Sequence, residues 1–380
     1  MAHRPHSDFE ARQGYVLALD VRGDRLAAGG ADGSVKLFSR RGGVEAAWQD
    51  HRDLVNSVRF SHRGRVVSGS KDGTIRAWEP DGSSVVIGRH DNWVMEVAWD
   101  PEGERVASVS EDGTLRIWDG RGAELLRINL EAPANSVDWS PEGTLVAVAG
   151  GDRVLRLLDS GDGEEVAALR GAGQMLWSVR FSPSGKQVAW AGRDRKARIA
   201  DVTGETTAVL EGHGQQVWSV SWHPDGDRLA TASADRSARL WSSEGTPLEV
   251  LEGPDWVRAA AWWGEDLVIA GDDGKISLYR DDGRSAGQVA PAPPVPDFEV
   301  CPHFDPQVFE TSKTRCEECG STESLRLCLS CGHVGCCESQ LGHGTKHWEE
   351  KGHPNTTPTP PGRFPWRWCY ECDDYAKRTA

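Results

Sequence analysis

The residues best suited to chemistry are the nine cysteines, which all lie between Cys301 and Cys372. Five histidines share this stretch, and the combined order includes C-x-H, three C-x2-C pairs and H-x3-H-x5-H. Two cysteines separated by two residues can bind one ion, and two histidines four positions apart can share a helix face. Because a structural zinc ion takes four Cys or His ligands, the stretch predicts a metal-binding module with enough ligands for three zinc ions.

The composition limits the function classes that remain. A chain of 380 residues has room for two domains. It has neither an apolar secretory signal at its start nor a stretch of about 18 apolar residues that could span a membrane. We therefore expect a cytoplasmic protein without a membrane partner, whose clustered cysteines bind metal. The net charge of −15 argues against nucleic acid as a partner, since phosphate binding needs a basic face.

A repeat of about forty residues fills the first 290 positions. Each unit reads as four short strands, because apolar residues alternate in runs such as WVMEVAW at 93–99. An aspartate marks the same turn in every unit: Asp32, Asp72, Asp112, Asp152, Asp194, Asp235 and Asp273. A single four-stranded sheet cannot bury both faces, whereas seven arranged radially pack on one another. The repeat predicts an all-β seven-bladed β-propeller.

The repeat resembles the WD-repeat family over residues 14 to about 290, and Trp118-Asp119 keeps the family's Trp-Asp pair. The family locks a blade with a chain of His, Ser, Asp and Trp. Three units carry a candidate set: His51, Ser70, Asp72 and Trp78; His90, Ser110, Asp112 and Trp118; His213, Ser233, Asp235 and Trp241. These sets recur at a fixed offset, so we interpret them as structural rather than catalytic.

The resemblance also implies a peptide-binding rim around the central channel. The family's contact positions early in the innermost strand fall on Leu17, Asn56, Met95, Asn135, Trp177, Trp218 and Arg258. Those just before the marker aspartate fall on Ala31, Lys71, Glu111, Gly151, Arg193, Ala234 and Asp272. Since Trp and Arg anchor interfaces, we predict a binding rim made of Trp93, Met95, Trp177, Trp218, Trp256 and Arg258. The alternative is that some of these indoles pack between blades.

The segments at the two ends of the repeat set the boundaries of the propeller. The last unit is expected to hold its own fourth strand near residues 285–290, while the segment before Gly14 either adds an outer strand or trails loosely. Four prolines between residues 291 and 300 favour an extended linker. We therefore divide the chain into an N-terminal extension (1–13), a propeller (14–290), a linker (291–300) and a zinc-binding domain (301–380).

The order of ligands in the last domain resembles the UBP-type zinc finger, the ubiquitin-binding module of some deubiquitinases and deacetylases. The main alternative is a RING domain, in which the Cys-x-His pair lies mid-order rather than first. The UBP-type resemblance implies a small α+β domain with three structural zinc ions. Its implied ligand sets are Cys316, Cys319, Cys336 and His343; Cys328, Cys331, His347 and His353; and Cys301, His303, Cys369 and Cys372.

Family members that bind ubiquitin hold its free C-terminal Gly-Gly in an aromatic pocket with an arginine near the carboxylate. The aromatic positions retained here are Trp368, Tyr370 and Tyr375. The chain departs from the family at Glu338, which replaces the arginine, and at Arg326, which replaces a tryptophan. The resemblance therefore implies the zinc scaffold more firmly than it implies ubiquitin as the ligand.

We expect the protein to be a non-enzymatic adaptor. The propeller rim would bind a protein or peptide. The zinc finger would bind a free C-terminal tail, for example a ubiquitin-like Gly-Gly end. Two alternatives stay open: a propeller scaffold with a purely structural zinc cap, and a component of ubiquitin-like conjugation or deconjugation machinery. The sequence has no cysteine before Cys301, no Gly-rich phosphate loop and no nucleophile elbow, so we predict no enzymatic activity.

Overall fold

The computed structural model describes residues 7–79 and 83–280, together with the backbone of five short strands between residues 325 and 377. The first strand is β1 (Ser7–Glu10). The strands of the first three blades are β2 (Val16–Arg22), β3 (Arg25–Gly30), β4 (Val35–Ser39), β5 (Val44–Trp48), β6 (Val55–Phe60), β7 (Val66–Ser70), β8 (Thr74–Trp78), β9 (Ser84–Arg89), β10 (Val94–Trp99), β11 (Arg105–Ser110), β12 (Thr114–Asp119) and β13 (Glu124–Asn129).

The next three blades follow the same plan. Their strands are β14 (Ala134–Trp139), β15 (Leu145–Gly150), β16 (Leu155–Asp159), β17 (Glu165–Leu169), β18 (Leu176–Phe181), β19 (Gln187–Gly192), β20 (Ala197–Asp201), β21 (Thr206–Leu210), β22 (Val217–Trp222), β23 (Arg228–Ser233), β24 (Ser237–Ser242) and β25 (Pro247–Glu252). The seventh blade is built from β26 (Val257–Trp263), β27 (Asp266–Gly271), β28 (Lys275–Arg280) and β1. The prediction of a seven-bladed propeller is confirmed for the described residues.

The core of the propeller lies between blades rather than within them. Each buried apolar cluster of the described residues joins one blade to the next, as where Trp78 of the second blade packs with Trp48 and Val35 of the first. The rings of Trp48 and Trp78 stack with centroids 5.3 Å apart. A cluster that includes Leu19 and Trp263 joins the first and seventh blades in the same way. Because every blade packs on both neighbours, closing the ring buries the apolar faces of the first and seventh blades.

Closure depends on strand β1. It pairs antiparallel with β28 from Ser7 opposite Leu278 to Glu10 opposite Lys275, and so takes the outermost place in the seventh sheet. Of the two alternatives for the segment before Gly14, the outer strand is the one observed. The expected fourth strand at residues 285–290 falls outside the described residues, and β1 already occupies that position.

The hydrogen-bonded chain that locks a blade differs from the predicted one. His51 Nε2 and Trp78 Nε1 both bond to the hydroxyl of Ser68, at 2.7 and 2.8 Å, and not to Ser70. The hydroxyl of Ser70 instead accepts the backbone N–H of Asp72. Residues two apart in a strand share a face, so both serines fit the sequence pattern. The indole N–H of Trp78 reaches Ser68, and this contact distinguishes the two.

The other two locks repeat this correction. Ser108 joins His90 to Trp118 where Ser110 was predicted. Thr231, rather than the predicted Ser233, joins His213 to Trp241.

The locks hold their charges in fixed states. Burial lowers the pKa of His90, which keeps the ring neutral despite the opposing hydrogen bond to Asp112. The neutral ring donates from Nδ1 to Asp112 and accepts at Nε2 from the hydroxyl of Ser108, a tautomer assigned from the network. Burial alone would raise the pKa of Asp112, but hydrogen bonds from His90 and Thr114 outweigh it and hold the pKa far below the ordinary value.

The C-terminal part contributes one antiparallel sheet. Its strands are β29 (Leu325–Cys328), β30 (Val334–Cys336), β31 (Asn355–Pro358), β32 (Trp366–Cys369) and β33 (Asp374–Lys377). Their order in the sheet is β30-β29-β31-β32-β33. The linker at 291–300 and any helix of the expected α+β domain fall outside the described residues. Across the described residues, no helix is both long and apolar enough to cross a membrane.

Ring closure yields a first prediction. Phe9 of β1 packs on Phe38 of the first blade with ring centroids 5.2 Å apart. We expect Phe9→Ala to lower the free energy of unfolding by roughly 2 kcal/mol, because it removes a partly buried ring from the closing strand. Urea denaturation measures the change, with the exposed neighbour Glu10→Gln as the control. Equal stability of both variants and the parent would show that β1 does not hold the ring closed.

Candidate functional site

A repeated backbone irregularity positions the candidate site. In every blade the innermost strand pairs with the second strand through a one-residue bulge, placed just after the first paired residue. A bulge leaves one residue outside the ladder and re-aims its side chain. The bulged residues are Leu17, Asn56, Met95, Asn135, Trp177, Trp218 and Arg258. All seven line a central channel of about 450 Å³, and they are the first predicted contact set.

The second predicted contact set supports the first. Its backbone N–H groups donate to the loop that leads into the innermost strand of the same blade: Glu111 to the carbonyl of Trp93 at 3.0 Å, and Asp272 to that of Trp256 at 3.1 Å. Lys71 donates to Leu54 in the same manner at 2.9 Å. The turns that carry the marker aspartates therefore lie on the same face as the channel mouth, which we call the upper face.

Three tryptophans and an arginine form a continuous row of ring contacts on blades five to seven. The rings of Trp177 and Trp218 are 4.9 Å apart. The guanidinium of Arg258 lies over Trp218 at 4.7 Å and over Trp256 at 4.9 Å. Two hydrogen bonds from Arg258 to Asp272, at 2.7 and 3.0 Å, hold the guanidinium in place. We call Trp177, Trp218, Trp256 and Arg258 the aromatic arc.

The remaining predicted rim residues lie on the third blade. Trp93 is half-buried, and the ammonium of Lys71 lies 4.2 Å from its ring centroid. Met95 is half-buried at the channel, where Asn56 of the second blade donates to the neighbouring carbonyl of Val94 at 3.0 Å. The structure thus brings all six predicted rim residues to the upper face, and none of them packs between blades as a fully buried side chain. Their role in binding stays a prediction.

Below the rim, the channel holds an ionic cluster that sequence analysis missed. The carboxylate of Glu96, almost fully buried, accepts hydrogen bonds from Arg59 at 2.6 Å and from Arg180 at 2.5 Å. Ser136 donates to the same carboxylate. These four residues come from blades two to five and tie their innermost strands together. The signal was present in the sequence, because Arg59 and Arg180 occupy the same place in the repeat.

Two further carboxylates stand in the same tier of the channel. Asp20 and Asp138 accept the backbone N–H groups of Phe60 and Phe181, one blade further on, at 2.6 and 2.8 Å. Burial raises the pKa of Asp138 to about 7, although the positive charge of Arg59 opposes the shift. Burial likewise raises the pKa of Asp20. The channel therefore holds a carboxyl group that titrates near neutral pH.

The zinc ligands can be followed only along the backbone of the C-terminal sheet. Cys328 lies opposite Thr356, Cys369 lies opposite Asn355, and Cys336 closes the first strand pair at its edge. The other nine predicted ligands fall outside the described residues: Cys301, His303, Cys316, Cys319, Cys331, His343, His347, His353 and Cys372. The sheet carries Cys328, Cys336 and Cys369 at the ends of three of its strands, and thiolate donors suit structural zinc.

The predicted tail-binding residues are partly traced by the same sheet. Trp368 lies directly opposite Tyr375 on one side and Thr356 on the other. Tyr370 falls outside the described residues. Within the part of the chain that the structure describes, no group of three or more His, Cys, Asp or Glu side chains is placed to hold a metal ion.

Two family models match this chain, one over the propeller and one over the C-terminal region. The family model described as the IFT122 first beta-propeller matches residues 13–280. The chain belongs to this family. A second model, described as the Zn-finger in ubiquitin-hydrolases and other protein, matches residues 316–380. The protein is therefore a WD-type propeller fused to a UBP-type zinc finger, and zinc binding follows from the second match.

Curated relatives share only a segment with this chain. Ubiquitin carboxyl-terminal hydrolase 44 of Ailuropoda melanoleuca is 37% identical over 71 residues, which cover 19% of this chain and 10% of the relative. Ribosome biogenesis protein YTM1 of Eremothecium gossypii is 33% identical over 75 residues, covering 20% and 17%. NAD-dependent deacetylase sir2A of Dictyostelium discoideum is 33% identical over 85 residues, covering 22% and 16%. The chain thus spans less than a fifth of the length of each relative. The hydrolase match lies in the zinc finger and not in a catalytic domain.

The raised pKa of Asp138 yields a second prediction. In the unfolded chain this carboxyl ionises near pH 4, but in the folded channel it ionises near pH 7. Stability is therefore lost as the pH rises from about 4 to 7, and the cost is full above pH 7. We expect Asp138→Asn, which keeps an acceptor for Phe181, to raise the free energy of unfolding by a few kcal/mol at pH 8 and to change it little at pH 4.

Thermal denaturation between pH 4 and 8 measures the effect. The exposed Asp24→Asn serves as the control, because it removes the same charge from the surface. A gain at pH 4 that equals the gain at pH 8 would contradict the assignment of a titrating group to Asp138.

Proposed function

We propose that the protein is a non-enzymatic adaptor, in which the propeller rim holds a protein or peptide and the zinc finger reads a free C-terminal tail. The observation that carries the proposal is the aromatic arc, with Trp256 42% exposed beside the ordered guanidinium of Arg258. Large rigid aromatic side chains and arginine supply most of the binding free energy at protein interfaces. Asp272 neutralises Arg258, so the arc offers ring surface more than net charge.

Pre-ordering favours this surface as a binding site. Trp177 is held by a hydrogen bond from its Nε1 to Gln216 at 3.1 Å, and Arg258 is held by two bonds to Asp272. Side chains that are already ordered lose little entropy when a partner binds. The bulges repeat around the channel, so a peptide laid across the mouth would meet several blades at once.

For the zinc finger we propose three structural zinc ions and a tail-binding pocket around Trp368, Tyr370 and Tyr375. The family match and the pairing of Trp368 with Tyr375 on adjacent strands support this part. A ubiquitin-like Gly-Gly end is the tail that the family match suggests, although Glu338 stands where a carboxylate-binding arginine would be expected. Joining two modules in one chain would raise the avidity for a partner that carries both features.

The non-enzymatic assignment rests on where the Ser, His and Asp sets lie. In the lock of the third blade, the side chains of His90 and Asp112 are 0% and 2% exposed, so a substrate could not reach them. We propose that the adaptor acts in the cytoplasm, a reducing compartment in which zinc thiolates persist. Turnover of a ubiquitin-like conjugate by the pure protein would overturn the non-enzymatic assignment.

A third prediction tests the rim. We expect Trp256→Ala to weaken retention of native protein partners about tenfold, since an exposed interface tryptophan contributes at least about 1–2 kcal/mol. Quantitative pull-downs compare the full-length protein with this variant and with Leu125→Ala, which removes an exposed apolar residue from an outer strand. Equal retention by all three proteins would argue against a binding role for the rim.

A fourth prediction tests the tail. Calorimetric titration of the full-length protein with peptides ending in a free Gly-Gly should give binding that is lost when the terminus is amidated and when Trp368 is replaced by Ala. Elemental analysis should find three zinc ions per chain. Absence of binding to any free terminus, with the zinc content intact, would favour the purely structural zinc cap.

A further inference from the structure

The tier of the channel that holds Arg59 and Arg180, which we call the lower tier, is charged on one side and small on the other. Its seven positions are equivalent in the register of the blades, from Asp20 opposite Ala27 to Ala261 opposite Val268. In ring order they are Asp20, Arg59, Ala98, Asp138, Arg180, Ser221 and Ala261. Blades six and seven therefore contribute only a serine and an alanine to this tier.

The small side chains leave room in the channel beside Asp20. One step nearer the mouth, blades six, seven and one are small as well, and the residues there are Ser219, Ala259 and Ala18. All of them line the channel of about 450 Å³. The charge that the seventh blade brings to the channel is that of Arg258 at the mouth, and Asp272 neutralises it. The wall next to Asp20 is therefore both open and uncharged.

The carboxylate of Asp20 faces the channel without an ion pair. It is half-buried and accepts the backbone N–H of Phe60 at 2.6 Å. Within the described part of the chain, no basic side chain lies within ion-pair distance of it. Arg59, whose positive charge acts on Asp20, donates instead to Glu96 at 2.6 Å. Asp20 is thus a channel-lining acid that the fold itself leaves without a cation.

The lower tier and Glu96 together carry more negative than positive charge when every group is ionised. Arg59 and Arg180 both bond to the carboxylate of Glu96, while Asp138, like Asp20, accepts a backbone N–H. Three carboxylates therefore stand against two guanidinium groups. Burial raises the pKa of Asp20, and the charge of Arg59 opposes this shift without cancelling it. A single added cation would balance the channel.

A second polar group on the open side lacks a hydrogen-bond partner. The hydroxyls of Ser178 and Ser219 accept the backbone N–H groups of Val220 and Ala260, at 3.2 and 3.3 Å. Ser221 is half-buried and its carbonyl accepts from the Trp262 indole, but its hydroxyl makes no hydrogen bond to any described residue. In the ring, Ser221 and Asp20 stand on the two sides of Ala261. Two acceptors are therefore available around the same open space.

We propose that Asp20, Ser221 and Ala261 form an ammonium pocket, a site in the channel for a primary alkylammonium group. Such a group carries one positive charge and three N–H donors at the end of a narrow chain, so it suits a carboxylate and a hydroxyl in a confined space. The rings of Trp177 and Trp218 line the mouth and would attract a cation on its way in. A calcium ion would need about six to eight oxygen ligands, which a wall of alanine and serine does not supply.

The inference goes beyond the proposed function, because the ammonium pocket does not require a peptide on the rim. A lysine side chain of a bound protein and a free alkylamine both carry the same group. The experiments below first test the pocket and then separate these two sources.

Thermal denaturation of the full-length protein at pH 8 in butylammonium chloride tests the pocket. At roughly ten times its dissociation constant, butylammonium should raise the Tm of the propeller by about 2–4 °C. Tetramethylammonium chloride at the same concentration should not, because it has the charge without N–H donors. Asp20→Asn keeps an acceptor for Phe60 but removes the charge, and it should lose the shift.

The matched control is Asp138→Asn. It removes the same charge from the same position of the repeat, but Asp138 lies on the charged side of the channel, next to Arg180 in the ring, and this variant should keep most of the shift. Ala261→Leu fills the open space and keeps every charge, so it should lose the shift as Asp20→Asn does. The Tm of each variant in sodium chloride shows that it is folded, and the two aspartate variants decide the matter if Ala261→Leu does not fold. A shift that survives in Asp20→Asn, or that both aspartate variants lose equally, would overturn the assignment.

A labelled short peptide with blocked ends and one lysine among glycines identifies the source. Anisotropy binding that falls about tenfold when the lysine is acetylated, and that is lost in Asp20→Asn, would assign the pocket to a lysine side chain. A butylammonium shift without peptide binding would assign it to a free alkylamine. Absence of both would overturn the pocket and leave the rim proposal intact, because the pull-downs with Trp256→Ala test the rim separately.

Discussion

Each blade of this propeller buries its two faces only against its neighbours, so the structure depends on the antiparallel pairing that closes the ring between β1 and β28. Without it the seventh sheet lacks its outer strand, and the aromatic contact between Phe9 and Phe38 is lost. Closure of the ring also fixes the relative positions of the loops on the upper face. The bulges can converge on one channel only because the blades are held at fixed angles around it.

The innermost strands line that channel with two tiers of side chains that differ in charge. The bulged residues at the upper end are mostly uncharged or internally neutralised, as Arg258 is by Asp272. Deeper in the channel, Arg59, Glu96 and Arg180 form a buried ionic cluster. A buried cluster of this kind contributes little net stability but penalises incorrect pairings, because a misplaced blade would leave a charge alone. We propose that the upper tier serves recognition, and we infer that the lower tier fixes the register between neighbouring blades.

Much of this architecture follows from local sequence signals, because strand alternation and turn aspartates repeat every forty residues. The rim positions came instead from the resemblance to the WD-repeat family, whose contact positions were mapped onto the repeat. The choice between Ser68 and Ser70 did not, since both serines share one strand face and only the reach of the Trp78 indole distinguishes them. Closure by β1 was one of two alternatives, because pairing between Ser7 and Leu278 has no local signature. The positive φ of Arg195, 66°, is likewise visible only in the backbone, because the turn glycines of other blades adopt similar values at the same position.

We propose that the upper face of blades five to seven is the binding surface. Hydrogen–deuterium exchange of the full-length protein, with and without a bound partner peptide, tests it most directly. We expect slower exchange in the loops at 213–218 and 253–258, and unchanged exchange in the turns of the opposite face at 100–104 and 141–144. Protection confined to the opposite face or to the outer strands would contradict it.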